Sequence, residues 1–155
     1  MKKIISALLL LPMIWNCSDD SIQDELPPVP EEFIRAVDFS FLPQIEQEQV
    51  IFYDTSGNPG DPLEILRDAG CNAVRIRLWH TPADGHSGLE EATALSQRVR
   101  AMGMKVWLCV HYSDTWADEG QQAMPAAWQE LDLESLKDSV YSYTKRITQV
   151  ISPAI

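Results

Sequence analysis

The chain is poor in positive charge and in glycine, and each shortage excludes a class of function. Its 12 Lys and Arg residues stand against 23 Asp and Glu residues, for a formal net charge of -11. A chain this acidic is repelled by nucleic acid and by anionic membrane surfaces, and a neutral substrate fits it better than a polyanion. It has 7 glycines, and no Gly-rich phosphate-binding loop follows any predicted strand, so nucleotide binding is not indicated.

Metal-binding motifs are also lacking. His111 has no second histidine at metal-ligand spacing, and the other two histidines fall on a different loop. Carboxylates in the loop after the third predicted strand could ligate calcium, but a solvated acidic loop is the commoner use of such residues. The sequence therefore predicts no metal ion and no other cofactor.

The apolar run at the amino terminus is too short to span a bilayer. Residues 4–15 follow two lysines and suit the core of a signal peptide. Cys17 comes next, followed by acidic residues, and the pattern resembles a bacterial lipoprotein signal, although Asn16 stands where a small residue is usual. We expect residues 1–17 to be a signal whose Cys17 carries lipid. An ordinary secretory signal, cleaved nearby, is the alternative.

Residues 18–32 have the composition of an acidic tether. From residue 19 to residue 32 there are six acidic residues, three prolines and no Lys or Arg, which is typical of an extended, solvated segment. We therefore expect an exported protein, held at the outer membrane or cell surface by the lipid on Cys17, or otherwise periplasmic or secreted. Residues 33–155 are then the folded part.

Cysteine is scarce in that folded part, where only Cys71 and Cys109 remain. Cys71 begins the second predicted strand and Cys109 lies near the end of the third. In adjacent parallel strands this offset is about three residues, or roughly 10 Å at ~3.3 Å per residue. Because a disulfide needs Cα atoms within ~7 Å, we expect two free, buried thiols.

The folded part alternates strands with helices. Apolar periodicity predicts strands at 33–39, 72–79 and 105–110, and helices at 63–69, 89–102 and 133–151. Asp61 is the expected N-cap of the first helix. The spacing from Val74 to Val106 is 32 positions, which fits one strand-helix unit of a right-handed parallel α/β arrangement. Periodicity alone does not separate an open doubly wound sheet from a closed barrel.

Two arginines interrupt the second predicted strand. Arg75 and Arg77 alternate there with apolar residues, and a buried guanidinium needs a carboxylate partner. One interpretation is an ion pair, perhaps with Asp38, that holds strands together. The other is that Arg77 hydrogen-bonds a catalytic carboxylate and keeps it ionised.

Aromatic side chains are concentrated after the strand ends. The loop at 111–128 begins with His111, Tyr112, Asp114 and Trp116, and Trp79 ends the preceding strand. Sugar rings present apolar C–H faces that stack on such rings, while their hydroxyl groups bond to polar neighbours. These residues are therefore candidates for substrate contact. Trp128, after a proline and two alanines, is expected to pack the loop instead.

Three ordered motifs resemble those of glycoside hydrolase family 53, the arabinogalactan endo-β-1,4-galactanases. They lie at 36–46, at 61–70 with 74–79, and at 111–118 with 125–128, and the resemblance extends from residue 33 to the end. It implies a (β/α)8 TIM barrel, an α/β fold of which this chain holds the first three β/α units. It also implies a retaining mechanism with two glutamates, and a β-1,4-galactan substrate. The substrate-binding residues would be Asp38, Arg77, Trp79, His111, Tyr112, Asp114 and Trp116.

The chain departs from the pattern of that family in several places. Ala36 stands where glycine is usual, Cys109 where aspartate is common and Glu119 where proline is common, and Cys109 leaves the pairing of the two arginines open. No Asn-Glu pair occurs, and a full barrel needs about 250 residues, so we expect both catalytic glutamates beyond Ile155. A barrel hydrolase acting on another β-glycan such as mannan, and a non-catalytic glycan-binding lipoprotein, are the alternatives.

Overall fold

A computed structural model describes residues 33–151 of the chain. The signal predicted at 1–17, the lipidation of Cys17 and the tether predicted at 18–32 lie outside the described residues. Within the part that is described, no helix is both long enough and apolar enough to cross a membrane.

The described residues form five strands, four α-helices and one 3-10 turn at Ala126–Trp128. In chain order the elements are β1 (Ala36–Asp38), α1 (Leu42–Gln47), β2 (Phe52–Tyr53), β3 (Pro59–Gly60), α2 (Pro62–Asp68), β4 (Ala73–Leu78), α3 (Leu89–Ala101), β5 (Lys105–Val110) and α4 (Leu133–Ile151).

Three of the strands form a parallel sheet in the order β1-β4-β5. Ala73 pairs with Lys105 and Leu78 with Val110, so residues 32 positions apart lie side by side. The predicted alternation of parallel strands and helices is therefore confirmed. Strands and helices fall within a residue or so of the predicted limits, apart from the first strand, which spans 36–38 instead of 33–39.

The connection between β1 and α2 contains structure that the sequence does not predict. It holds the helix α1 and the antiparallel pair β2–β3, between the strand predicted at 33–39 and the helix predicted at 63–69. No side chain caps α1. Tertiary contacts hold it instead: Leu42 is fully buried, and Glu46 accepts two hydrogen bonds from Arg98 of α3, at 2.7 and 2.8 Å.

Helix α2 begins where the sequence indicates. Asp61 is its N-cap, and one carboxylate oxygen accepts hydrogen bonds from the backbone N–H groups of Leu63 and Glu64, at 2.7 and 3.4 Å. Pro62 follows at the first helical position, where its missing N–H costs nothing. The other oxygen of Asp61 lies 3.3 Å from Arg98, so the cap also ties α2 to α3.

The hydrophobic core lies between the helices and one face of the sheet. Side chains alternate along a strand, so Val74, Ile76 and Leu78 point towards the helices and are buried. The helices contribute Leu63, Leu95, Val99, Ile147 and Ile151. Arg75 and Arg77 alternate with these residues and therefore lie on the opposite face, which no helix covers among the described residues.

Both cysteines of the described part are free, as predicted, but neither is fully buried. Cys109 pairs in register with Arg77, six residues beyond Cys71. The separation along the strands is therefore about 20 Å at ~3.3 Å per residue, twice the expected offset. The expectation of buried thiols was wrong, because Cys71 is only partly covered by the core and Cys109 lies on the open face of the sheet.

Candidate functional site

The register of the sheet brings the polar residues of three strands to one face near their carboxyl ends. Asp38 of β1 pairs with Arg75 of β4, which pairs in turn with Trp107 of β5. Two residues further along these strands, Arg77 pairs with Cys109. The carboxyl ends of parallel strands are where both barrels and open α/β sheets place their active sites.

Asp38 is the centre of this group. One of its carboxylate oxygens lies 2.6 Å from the guanidinium of Arg77 and 3.3 Å from that of Arg75. The other accepts hydrogen bonds from the backbone N–H and the hydroxyl of Ser40, at 3.2 and 2.7 Å. The hydroxyl oxygen of Ser40 in turn accepts a bond from the backbone N–H of Arg77, at 2.9 Å. The ion pair predicted with Asp38 is confirmed, and Ser40 is a member of the site that the sequence did not reveal.

Cys109 accepts a hydrogen bond from the terminal nitrogen of Arg75 that does not bond to Asp38. An N–H of Arg75 donates to Sγ of Cys109 at 3.2 Å, and this bond, aided by the charge of Asp38, raises the pKa of Arg75 above its ordinary value. The cysteine at this position therefore does not leave the arginines unpaired. Both guanidinium groups have acceptors, although a single carboxylate serves the two.

Arg77 is held between aromatic rings. Its guanidinium carbon lies 4.3 Å from the centre of the Trp116 ring and 5.7 Å from that of Phe41, within the range of cation–π contacts. The side chain is only 12% exposed. Its Nε–H is buried and has no acceptor among residues 33–151. Arg77 thus retains one donor that a further acceptor could engage.

His111 continues β5 into the loop beside these arginines. Its backbone N–H donates to the carbonyl oxygen of Leu78 at 2.8 Å, and its Nε2 lies 3.8 Å from Sγ of Cys109. Burial lowers the pKa of His111, and the charges of Arg77 and Arg75 lower it further. The imidazole is therefore neutral at pH 7 and offers one hydrogen-bond donor and one acceptor.

The lowered pKa of His111 predicts a pH-dependent stability. Below the ordinary value of 6.5 the unfolded chain binds this proton more readily than the folded chain. We therefore expect the free energy of unfolding to decrease as the pH falls from 6.5 through the lowered pKa. Urea unfolding at pH 7.5 and pH 5.5 measures the decrease, and His111→Gln should reduce it. An equal decrease in the variant would contradict the prediction. The carboxylates with lowered pKa values titrate below 3.8 and do not interfere.

Asp114 links the loop at 111–128 to the residues that follow β4. One carboxylate oxygen accepts from the backbone N–H of Thr81 at 2.9 Å, and the other accepts from that of Ala126 at 2.8 Å. His80 lies 3.5 Å from the first of these oxygens. Both oxygens are therefore engaged within the protein. This bonding supports a role in shaping the rim, while sugar contact by Asp114 stays a prediction.

An aromatic cluster packs beneath the same loop. Trp128 is buried, with its ring centre 4.5 Å from that of His80, 5.9 Å from that of Tyr143 and 6.2 Å from that of Tyr112. The packing role predicted for Trp128 is confirmed. Burial raises the pKa of Tyr143 to about 12, and its hydroxyl donates to the carbonyl oxygen of Trp79 at 3.1 Å.

The aromatic candidates for sugar contact differ in exposure. Trp116 is 40% exposed, and its indole N–H donates to Asp118 at 2.9 Å, which fixes the ring and lowers the pKa of that carboxyl. Tyr112 is similarly exposed and bonds through its hydroxyl to Thr144 at 2.8 Å. Trp79 is only 9% exposed. Of the two tryptophans proposed for contact, Trp116 therefore has the open face.

A cleft with a volume of ≈ 340 Å³ opens beside these residues and is lined by Cys109, His111, Tyr112 and Asp118, among others. The structure brings Asp38, Arg77, His111 and Trp116 together at this end of the sheet. Tyr112 and Asp114 lie in the rim loop, and Trp79 is largely covered. No cluster of three or more potential metal ligands occurs among residues 33–151.

Comparison with known sequences gives a consistent result. The sequence profile of glycosyl hydrolase family 53 matches residues 34–154. The endo-beta-1,4-galactanase of Bacillus subtilis (strain 168) is 35% identical over 140 residues, which cover 85% of this chain and 33% of that protein. A probable arabinogalactan endo-beta-1,4-galactanase A of Aspergillus terreus is 43% identical over 114 residues, 73% of this chain and 32% of that protein. The chain thus spans about a third of these relatives.

Solved structures give the same result at the level of the fold. The Ignisphaera aggregans GH53 catalytic domain superposes with a TM-score of 0.76 at 34% identity, over 83% of this chain and 38% of that domain. A fungal beta-1,4-galactanase structure gives 0.74 at 38% identity, over 78% and 36%. The predicted fold class, a part of a (β/α)8 barrel with parallel strands, is confirmed.

Proposed function

Since this chain belongs to glycosyl hydrolase family 53, we propose that it forms the substrate cleft of an enzyme that cleaves β-1,4-galactosidic linkages within (arabino)galactan. The named activity of the relatives supports this proposal, because two of them are described as galactanases that act within the chain of the polymer. A neutral polysaccharide also suits a protein with a net charge of -11.

The proposed reaction is a retaining hydrolysis by two glutamates. One protonates the leaving glycosidic oxygen and the other attacks the anomeric carbon, and water then releases the sugar from the covalent intermediate. We assign both glutamates to residues outside this 155-residue sequence. The observation that carries the proposal is the unsatisfied Nε–H of Arg77, a buried donor suited to a carboxylate brought by another part of the barrel.

Arg77 would then keep the attacking glutamate ionised and correctly placed. Asp38 and Ser40 hold the guanidinium through its Nη2 and the backbone, so the Nε edge is left for the catalytic group. Trp116 covers one face of Arg77 and restricts its rotation. A charge-assisted hydrogen bond to a carboxylate is strongest in such a confined position.

The sugar would lie against Trp116 and His111. The exposed indole face of Trp116 suits the C–H face of a galactose ring, and the neutral imidazole of His111 can bond to a hydroxyl group. Tyr112 extends this surface along the rim. Export with a lipid at Cys17 would place the enzyme at the outer membrane or cell surface, where it can reach polysaccharide.

The test is a hydrolysis assay on two proteins. The first is the 155-residue chain alone, which should release no reducing sugar from β-1,4-galactan. The second joins this chain to the part of the Bacillus subtilis galactanase outside their aligned region, and it should hydrolyse galactan but not mannan. Hydrolysis of mannan, or retention on insoluble galactan without hydrolysis, would replace the proposed function with a different one.

Arg77 can be tested in the joined protein. We expect Arg77→Met to lower kcat/KM by about 10²–10³, the usual effect of removing one group that stabilises developing charge. Arg67→Met is the matched control, because Arg67 lies on the surface of α2, where its guanidinium pairs with Asp68 and donates to the sulfur of Met102. Equal activity of the two variants would contradict the role of Arg77.

A further inference from the structure

The ion pair between Asp38 and Arg77 leaves the Nε–H of Arg77 without an acceptor among residues 33–151. Oδ2 of Asp38 lies 2.6 Å from Nη2 of Arg77. Nη2 and Nε lie along the same edge of the guanidinium, and a carboxylate frequently uses both of its oxygens on such an edge to make two parallel bonds. Here Oδ1 of Asp38 is kept away from the second donor of the edge that Oδ2 already occupies.

Ser40 holds that second oxygen. Oδ1 of Asp38 accepts the hydroxyl hydrogen of Ser40 at 2.7 Å and the backbone N–H of Ser40 at 3.2 Å. If the carboxylate turned to bring Oδ1 to Nε of Arg77, both of these bonds would break. Ser40 is only 3% exposed, so its freed donors would have no water to bond to, and an unsatisfied buried donor is costly. The two bonds therefore oppose the rotation that a two-oxygen pairing needs.

Ser40 is itself fixed to the strand that carries Arg77. Its hydroxyl oxygen accepts the backbone N–H of Arg77 at 2.9 Å, and the N–H of the preceding residue, Phe39, donates to the carbonyl oxygen of Arg75 at 3.1 Å. A hydroxyl group has a single hydrogen to donate. Because the N–H of Arg77 approaches the oxygen, that hydrogen is directed at Asp38, and hydrogen bonds in such a chain strengthen one another.

The other buried serines of the described part do not hold a carboxylate in this way. They are Ser87, Ser96 and Ser113. The hydroxyl of Ser96, for example, donates to the carbonyl oxygen of Ala92 at 2.7 Å, within α3. Of the four buried serine hydroxyls, that of Ser40 is the one bonded to a charged side chain.

We propose that Ser40 is a positioning residue, which holds Oδ1 of Asp38 and so keeps the Nε–H of Arg77 open for the catalytic carboxylate. This inference rests on the role of Arg77 in the proposed function. Ser40 is buried and acts only through these two side chains. Without its hydroxyl, Asp38 turns and Oδ1 accepts the Nε–H of Arg77. The attacking glutamate then loses the donor that keeps it ionised.

The hydrogen bond can be observed directly by nuclear magnetic resonance in the 155-residue chain. With isotopically labelled arginine side chains, Arg77→Lys identifies the Nε–H signal of Arg77 by removing it. Ser40→Ala should move this signal downfield, because a carboxylate oxygen becomes its acceptor, whereas Ser40→Thr keeps a hydroxyl and should leave the signal in place. Ser96→Ala is the matched control, since it removes an equally buried hydroxyl that bonds within α3. The same signal position in Ser40→Ala and Ser96→Ala would overturn the proposal.

The joined protein measures the consequence for catalysis. We expect Ser40→Ala to lower kcat about 10- to 100-fold, the size of effect that a small misplacement of a reacting group produces. KM should change little, because Ser40 is buried. The acidic limb of the kcat/KM profile should move to higher pH, since a glutamate that loses a cationic donor has a higher pKa. Ser96→Ala should show neither change.

The two experiments separate this inference from the proposed function. A shifted Arg77 signal, together with no hydrolysis of galactan by the unmodified joined protein, supports the hold of Ser40 on Asp38 and counts against the proposed function. If the joined protein hydrolyses galactan, and Ser40→Ala matches Ser96→Ala in kcat and in pH profile, the positioning role is overturned and the proposed function stands.

Discussion

Replacing Asp38 with asparagine is expected to lower the free energy of unfolding by about 2–3 kcal/mol, towards the lower limit for breaking a buried ion pair. Asparagine keeps the size of the side chain but removes the negative charge that serves two guanidinium groups. Arg77 is the more costly of the two to leave unpaired, because its side chain is largely buried. Arg75 is better solvated and keeps its bond to Cys109.

Urea unfolding measures this effect, and Asp68→Asn is its control. Asp68 also pairs with an arginine, but on the exposed surface of α2, where such pairs contribute little. We expect the midpoint of the control to stay close to that of the unmodified chain. The double variant Asp38→Asn/Arg77→Gln should recover part of the loss, because it removes the uncompensated charge as well. An Asp38 variant as stable as the control would show that the two arginines do not depend on this carboxylate.

The contacts of Asp38 show which parts of the site can be predicted from the sequence. A guanidinium within an apolar strand needs a carboxylate, and this rule predicts an acidic partner for the two arginines, with Asp38 as a candidate. The contribution of Ser40 is different. Its hydroxyl bonds both to Asp38 and to the backbone of Arg77, and that bridge depends on the register between β1 and β4. Nothing in the local sequence specifies such a register.

The fold likewise has elements that the sequence predicts and elements that it does not. Apolar periodicity and caps predict β4, β5 and the longer helices, because each buries one regular face. Helix α1 escapes the prediction because it has only six residues and no capping side chain, and its position depends on Leu42 and on the ion pair of Glu46 with Arg98. Those contacts form between segments about 50 residues apart.

In the loop at 111–128, some features are predicted by the sequence and others are shown only by the structure. Its composition predicts sugar contact by several side chains, yet the structure engages both oxygens of Asp114 with backbone N–H groups. It leaves Trp116 open and buries Trp128. Residue type alone does not separate a tryptophan that meets a ligand from one that supports the loop, whereas position after a Pro-Ala-Ala segment favours support for Trp128.

Truncating Trp128 to alanine is the second large effect that we expect, a loss of about 3–5 kcal/mol in the free energy of unfolding, the usual cost of removing a buried aromatic side chain. Its ring contacts those of His80, Tyr112 and Tyr143, so the rim loop and α4 both lose their common support. A domain is stable by only about 5–15 kcal/mol, so this loss is a large share.

Two matched variants test whether the loss of stability comes from the buried packing of Trp128. Trp116→Ala removes a tryptophan from the same loop, but its ring is well exposed, so unfolding by urea should change much less. Trp128→Phe should recover part of the loss, because the phenyl ring still fills part of the space between His80 and Tyr143. Limited proteolysis within 111–128 should become faster in Trp128→Ala alone, since the loop is then released. If Trp116→Ala were the more damaging change, the exposed ring rather than the buried one would be holding the rim together.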